Sequence, residues 1–280
     1  MPILNMENYQ KNEIEKLSKL VNDLKLNNIH PKLYIITDGE DDRCKTYMRS
    51  KLSHGENIGI NVEVKTIQTV NELDELLEIA FQENIPTIMQ LPIKKELEEY
   101  YNNNSLSKIL DVDGFFTFQN LIDGDWSNAP CTALGIMNYI LEENGLDIDS
   151  RNKNIVIFGR GNLCGLPLTV MSVPLFATTT VITSKTKPST KRQVLKNADV
   201  IVLATGVKGS LKMSELPLDR DIYVVNVGTI FENGKLTTEL DVDCENDNVW
   251  YTPRIKGIGV LTVLSLMENV INFYKKLLTK

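Results

Sequence analysis

Residues 154–165 read NIVIFGRGNLCG, an apolar run, then a turn holding Gly159 and Gly161, then Gly165 at the opening of a helical stretch. The first glycine of such a turn permits a tight reversal, and the second leaves room for a pyrophosphate near the helix N-terminus. The spacing is GxGxxxG rather than GxGxxG, and taken alone it also serves an ordinary tight turn. Its surroundings constrain the fold more strongly. TTVIT (179–183), DVIVLATG (199–206) and YVVNVG (223–228) follow as further short apolar runs, two of them ending in glycine. Successive runs of this kind predict parallel strands of a doubly wound nucleotide-binding sheet.

The upstream half has the same rhythm. Ile14, Leu17, Leu20, Val21 and Leu24 at helical spacing predict an amphipathic helix over 10–27. Strands are expected at 31–39, 61–67 and 87–92, with helices at 41–59, 71–83 and 94–101 between and after them. Asn102 to Ser107 is polar and reads as a loop, and a helix is expected over 130–145. The charged, Asn-rich stretch 146–154 is the expected domain boundary, separating an α/β domain over 1–145 from a Rossmann-type domain over 146–259. A long amphipathic helix over 260–278 ends the chain. The fold class is α/β with two domains.

Charge and composition narrow the partners. Lys plus Arg number 30 against 37 Asp plus Glu, a net charge of −7. An acidic chain has no electrostatic footprint for a polyanion, so no nucleic acid is expected. Cysteines at 44, 131, 164 and 244 form no CxxC pair, and the two histidines, His30 and His54, stand apart. Neither a disulfide framework nor a metal site is expected, and a reducing cytoplasm fits this usage. Leu163 to Ser184 carries no charge, but Gly165, Pro167, Pro174 and a run of threonines interrupt it. A buried helix followed by a buried strand accounts for it, so a soluble protein with no membrane partner is expected.

The second strand of the nucleotide half ends VITSKTK, with Ser184, Lys185 and Lys187 where an NAD site places a carboxylate. Arg160 lies in the glycine turn itself. Hydroxyl plus cation suits a 2′-phosphate, so NADP is the expected cofactor, although such cations also occur as solvated loop charges. Tyr47 and Lys51 lie four apart on one face of a predicted helix. They precede Gly159 by over a hundred residues, the reverse of the order in short-chain dehydrogenases. On spacing alone the pair reads as a surface lysine beside a packing tyrosine. Gln90 at a strand end and Asp111 and Asp113 before Gly114 add an amide and carboxylates. A hydrogen-bonded strand end and an Asx turn account for them equally well.

In order, YxxxK, QLP, DVDGF, PCTxxG, the glycine turn and a C-terminal TP…GxG make the chain resemble bifunctional methylenetetrahydrofolate dehydrogenase/cyclohydrolases, from about Pro31 to the last helix. The resemblance implies a homodimer of two-domain protomers, whose C-terminal helix, 260–280, returns to the folate-binding first domain. It implies NADP-dependent oxidation of 5,10-methylenetetrahydrofolate and hydrolysis of the methenyl product to 10-formyltetrahydrofolate, in one-carbon metabolism. By the same resemblance Lys51 is the catalytic lysine, Tyr47 stacks on the aminobenzoyl ring, Gln90 cooperates with the lysine and Asp113 anchors the pterin. Leu91, Gly257, Ile258 and Gly259 fall on the folate side, and Gly159, Arg160, Gly161, Gly165, Ser184, Lys185, Gly206 and Thr229 on the NADP side. The chain departs from the family pattern at Leu110 (a lysine there), Gly161 (serine), Thr183 (histidine), Asn226 (aspartate) and over Arg254–Val260. A monofunctional member, another two-domain NADP oxidoreductase of the shikimate-dehydrogenase type, and a nucleotide-binding regulatory homologue stand as alternatives.

Overall fold

The computed structural model describes residues 3–40, 42–143, 145–217, 219–232 and 235–278. It divides into two compact units, Lys11–Thr117 with Val263–Lys280, and Met1–Gln10 with Phe118–Thr262.

The first unit is laid out as α1 (Glu7–Leu26), β1 (Lys32–Thr37), α2 (Asp42–Ile58), β2 (Asn61–Thr66), α3 (Val70–Gln82), β3 (Thr87–Met89), α4 (Lys95–Asn103) and α5 (Ser105–Leu110). The strands pair in parallel in the order β2-β1-β3. Burial follows that order: Leu33, Ile35 and Ile36 of the central strand are fully buried, whereas every residue of edge strand β2 is exposed or half-buried. α3 opens with a capping box, in which the Thr69 hydroxyl accepts from the Glu72 amide and the Glu72 carboxylate accepts from the Thr69 amide. α5 occupies much of the stretch expected as a loop. Asn104 accepts from the Leu106 and Ser107 amides, at 2.7 and 3.4 Å, and restarts the helix one residue after α4 ends. A polar run here is therefore a cap rather than a loop.

The second unit holds α6 (Phe118–Ile122), α7 (Cys131–Leu141), β4 (Asn154–Phe158), α8 (Gly165–Ser172), β5 (Thr178–Ile182), α9 (Pro188–Lys196), β6 (Val200–Leu203), β7 (Leu211–Lys212), β8 (Ile222–Asn226), β9 (Thr229–Glu232), β10 (Lys235–Thr238), β11 (Leu240–Asp241) and β12 (Val249–Tyr251). Five of these strands form one parallel sheet in the order β12-β8-β6-β4-β5. Ile155, Ile157, Val200 and Val202 pack into one core, and Val156, Phe158, Ile201 and Leu203 into another. Strands buried on both faces read as unbroken apolar runs, which is why the sequence exposes them so clearly.

α7 contributes Ile136, Met137 and Ile140 to the same core as Ile155 and Leu168, so residues 118–145 group with the parallel five-stranded sheet. The unit boundary thus lies at 117/118, not at 146. The chain's start belongs to this unit as well: Ile3 bridges Tyr251, and the Leu4 amide donates to the Tyr251 carbonyl at 2.9 Å. The chain closes with α10 (Ile258–Leu278).

Candidate active site

In the first unit, the chemistry-bearing residues sit where parallel strands end. Gln90 directly follows β3, and its amide donates to the Ile36 carbonyl of β1 at 2.8 Å. Lys51 lies in α2, and its ammonium donates to the Gln90 carboxamide oxygen at 2.9 Å. The Gln90 amide nitrogen donates in turn to the Leu91 carbonyl at 3.0 Å. Both ends of the carboxamide are thereby assigned, with its oxygen turned to the lysine. Gln90 is buried and Lys51 half-buried, which strengthens the bond relative to one in open water. Tyr47, one turn earlier on α2, is 53% exposed, so its ring offers a free face.

The DVDG segment runs beside β3. Asp111 bridges Thr87 in parallel, and the Val112 amide donates to the Thr87 carbonyl at 3.4 Å. The chain then bends at Asp113, two residues past the bridge. Asn269 of α10 secures this run by donating to the Val112 carbonyl at 3.0 Å. Asp111 is buried and its carboxylate accepts from the Asp113 and Phe116 amides, at 3.0 and 3.4 Å, shaping the loop from beneath. Burial, reinforced by the Asp113 charge, pushes the Asp111 carboxyl up to about 7. Half-buried Asp113 has no ion pair or side-chain hydrogen bond with Lys51 or Gln90 among the described residues. Leu110 is packed in the core of this unit.

In the second unit the strand order reverses at β4, with β5 on one side and β6 on the other. A crevice outside the carboxyl ends of the strands at such a switch point is where doubly wound sheets bind ligands. Gly159 follows β4 at φ 99°, and a Cβ there would stand 2.4 Å from the Ala204 carbonyl oxygen after β6. A Cβ on Gly165 would stand 2.5 Å from the Gly159 carbonyl oxygen, so this glycine lets α8 close on the turn. Gly161 faces open space, with nothing within 4 Å of a Cβ. Two glycines that pack the turn and one that leaves it open make a cradle that fits a dinucleotide phosphate.

After β5, the Thr183 hydroxyl accepts from the Lys185 amide at 3.2 Å and the Thr186 hydroxyl from the Thr183 amide at 3.0 Å. This turn holds Ser184 and Lys185 exposed at its tip, and Arg160 is exposed in the glycine turn. Thr183 and Thr186 together close this turn. Asn226 is buried, and its side-chain oxygen accepts from the Leu240 amide at 3.1 Å. Gly206 follows β6 and is exposed, whereas the side chain of Thr229 lies outside the described residues. In the 254–260 stretch, a Cβ on Gly257 would stand 2.2 Å from the Pro253 carbonyl oxygen, and Gly259 and Ile258 open α10.

One residue of this region gave no sequence signal. Glu239 is buried, and it accepts from the Thr205 amide at 2.9 Å, the Thr205 hydroxyl at 2.5 Å, the Gly206 amide at 3.0 Å and the Ser210 hydroxyl at 3.3 Å. It is separated from those partners by about thirty residues of sequence, so no local pattern announces it. Burial, with the Glu239 charge added to it, pushes the Cys164 thiol beside the glycine turn up to about 12.

Among the described residues, no helix is long and apolar enough to cross a membrane, and no cluster of His, Cys, Asp or Glu is placed to hold a metal ion.

Residues 130–278 match the family described as tetrahydrofolate dehydrogenase/cyclohydrolase, NAD(P)-binding domain. Bifunctional protein FolD of Staphylococcus aureus is 31% identical over 278 residues, covering 96% of this chain and 95% of its own. A crystal structure of bifunctional FolD from Campylobacter jejuni superimposes with a TM-score of 0.84 at 28% identity, over 99% of both chains. The Trypanosoma brucei enzyme, solved with NADP and an inhibitor, shares the fold with a TM-score of 0.86 at 21% identity over the whole of both chains.

Proposed function

The chain belongs to the tetrahydrofolate dehydrogenase/cyclohydrolase family, and from that premise we propose that it oxidises 5,10-methylenetetrahydrofolate with NADP and hydrolyses the methenyl product to 10-formyltetrahydrofolate. The observation that carries this reading is the Lys51–Gln90 hydrogen bond of 2.9 Å at the strand ends of the unit that also holds Asp113.

Bound NADP supplies a hydride acceptor, and hydride loss leaves a methenyl cation delocalised over two nitrogens. No strong base is needed for that step, so the chain's task is to hold its substrate in place. Asp113 accepts hydrogen bonds from the amino-pyrimidine edge of the pterin, and the exposed ring of Tyr47 stacks on the aminobenzoyl group. Leu91 and the Gly257–Ile258–Gly259 stretch complete the folate side. Gly159, Arg160, Gly161, Gly165, Gly206 and Thr229 serve the dinucleotide, with Ser184 and Lys185 on its 2′-phosphate. Hydrolysis is different, because water addition and ring opening require proton movement. Lys51 moves that proton at Nζ, and Gln90 sets where Nζ points. The same reading makes the protein a homodimer of the cytoplasm, a compartment in keeping with Cys131, Cys164 and Cys244 as reduced thiols.

An absorbance assay for methenyltetrahydrofolate tests the whole reading. Purified protein given methylenetetrahydrofolate and NADP should form the methenyl chromophore and then consume it. No chromophore, and no clearance of added methenyltetrahydrofolate, would reject both activities.

A further inference from the structure

We propose that Glu239 is a positioning residue for the dinucleotide, locking the loop after β6 into the shape that walls the cofactor crevice. The proposal rests on the NADP reading above and adds to it a residue on which that reading does not depend.

The loop in question, Thr205 to Ser210, starts beside the glycine turn, because the Ala204 carbonyl occupies the space a Gly159 Cβ would need. Its position therefore sets one side of the crevice at the switch point. At its far end the Gly209 amide donates to the Thr238 carbonyl of β10 at 3.5 Å and the Ser210 amide to the Val207 carbonyl at 3.3 Å, which leaves the amides of its first half to be satisfied. Glu239 serves that first half: one carboxylate gathers the Thr205 amide and hydroxyl and the Gly206 amide, and reaches the Ser210 hydroxyl as well. The Thr205 hydroxyl also accepts from the Val207 amide at 3.1 Å. Three consecutive amides, at 205, 206 and 207, are thus consumed inside the loop.

Two consequences follow from the chemistry. The Thr205–Val207 amides are unavailable to a phosphate, so phosphate recognition falls to the open side of the glycine turn, and this loop contributes shape through Gly206 and exposed Val207. Moreover, a buried carboxylate near a phosphate site would ordinarily repel the ligand. With four donors directed at it, Glu239 spends its charge on the loop instead. A neutral glutamine is not equivalent, since its NH2 group would face donors rather than accept from them.

The test uses the full-length protein with E239Q, E239A and the shorter acid E239D. NADPH affinity is read by fluorescence titration, amide exchange at Thr205–Val207 by mass spectrometry without cofactor, and hydrolysis of added methenyltetrahydrofolate without NADP. Losing the charge-assisted bonds should raise the NADPH Kd about tenfold or more in E239Q and E239A, with E239D intermediate. Exchange at the loop amides should accelerate, while NADP-free hydrolysis stays near the wild-type rate, which a general loss of structure would not allow. If E239A does not fold, E239Q and wild-type exchange decide the matter: unprotected Thr205 and Gly206 amides in the wild type would overturn the proposal. So would an E239Q that binds NADPH as tightly as wild type, or one that loses binding and hydrolysis together. A wild-type protein that binds no NADPH overturns the dinucleotide reading itself, and the role of Glu239 with it.

Discussion

The Lys51 ammonium donates to the Gln90 carboxamide oxygen at 2.9 Å, and the other end of that carboxamide is tied to the Leu91 carbonyl. A long, flexible lysine stem is thereby restrained by a side chain that is itself buried and tied through its nitrogen to the Leu91 carbonyl. Restraint of this kind places Nζ before substrate arrives, which is where proton transfer gains its geometry.

Lys51→Met keeps most of the stem and removes the amine. Hydrolysis of methenyltetrahydrofolate should fall by about 10²–10⁴-fold, the range typical of a general acid–base group. Dehydrogenase turnover should remain measurable, so the methenyl product accumulates. A variant that clears methenyltetrahydrofolate at the wild-type rate would leave Lys51 a binding residue only.

Asp113→Ala should weaken folate binding by about 1.5–3 kcal/mol, the worth of a charge-assisted hydrogen bond, which is roughly ten- to a hundredfold in Kd. NADPH affinity should not change, because Asp113 and the glycine turn belong to different units. Calorimetric titration of both ligands decides it, and undiminished folate affinity would reject the assignment.

Lys185 is exposed at the tip of the turn after β5, beside Ser184. Wild type should prefer NADP to NAD in kcat/KM. Lys185→Asp replaces a phosphate partner with a ribose-hydroxyl acceptor and should shift that ratio toward NAD by about tenfold or more. A wild type that favours NAD, or a variant with an unaltered ratio, contradicts this placement.

Asp111 offers a stability test with a definite sign. Burial and the Asp113 charge raise its carboxyl from 3.8 to about 7, so the folded protein holds a proton that the unfolded chain has released. Its contribution to stability is full below about pH 4 and is lost as pH rises through about 7. Asp111→Asn cannot titrate. Its Tm relative to wild type should therefore rise between about pH 5 and pH 8, whatever fixed cost the lost Phe116 contact adds. Thermal melts across that window giving a pH-independent difference would show that Asp111 does not carry the titration.

Much of the fold was legible because its strongest signals are local. β1, β4, β6 and β8 are short apolar runs, and helices α1, α3 and α10 show their periodicity or caps within a few residues. Lys51 on α2, Gln90 after β3 and the glycine turn after β4 stand out in the sequence because each belongs to a locally patterned element, in an order that can be read along the chain. α5 was missed because Asn104 reads as a loop residue unless its oxygen is seen to accept from the two following amides.

The sequence by itself determined the parallel α/β character, the nucleotide turn and the identity of the groups available for chemistry. Hydrophobic runs and glycine spacing act over a few residues, and they carry that information wherever they occur. Only the tertiary structure decided that residues 118–145 pack with β4 and α8, that Gln90 receives the Lys51 ammonium across 39 positions of sequence, and that Glu239 gathers the loop after β6. Those outcomes depend on which buried groups meet across long stretches of chain. A buried carboxylate must find donors, and the ones it finds are chosen by the packing of strands that no local pattern pairs in advance.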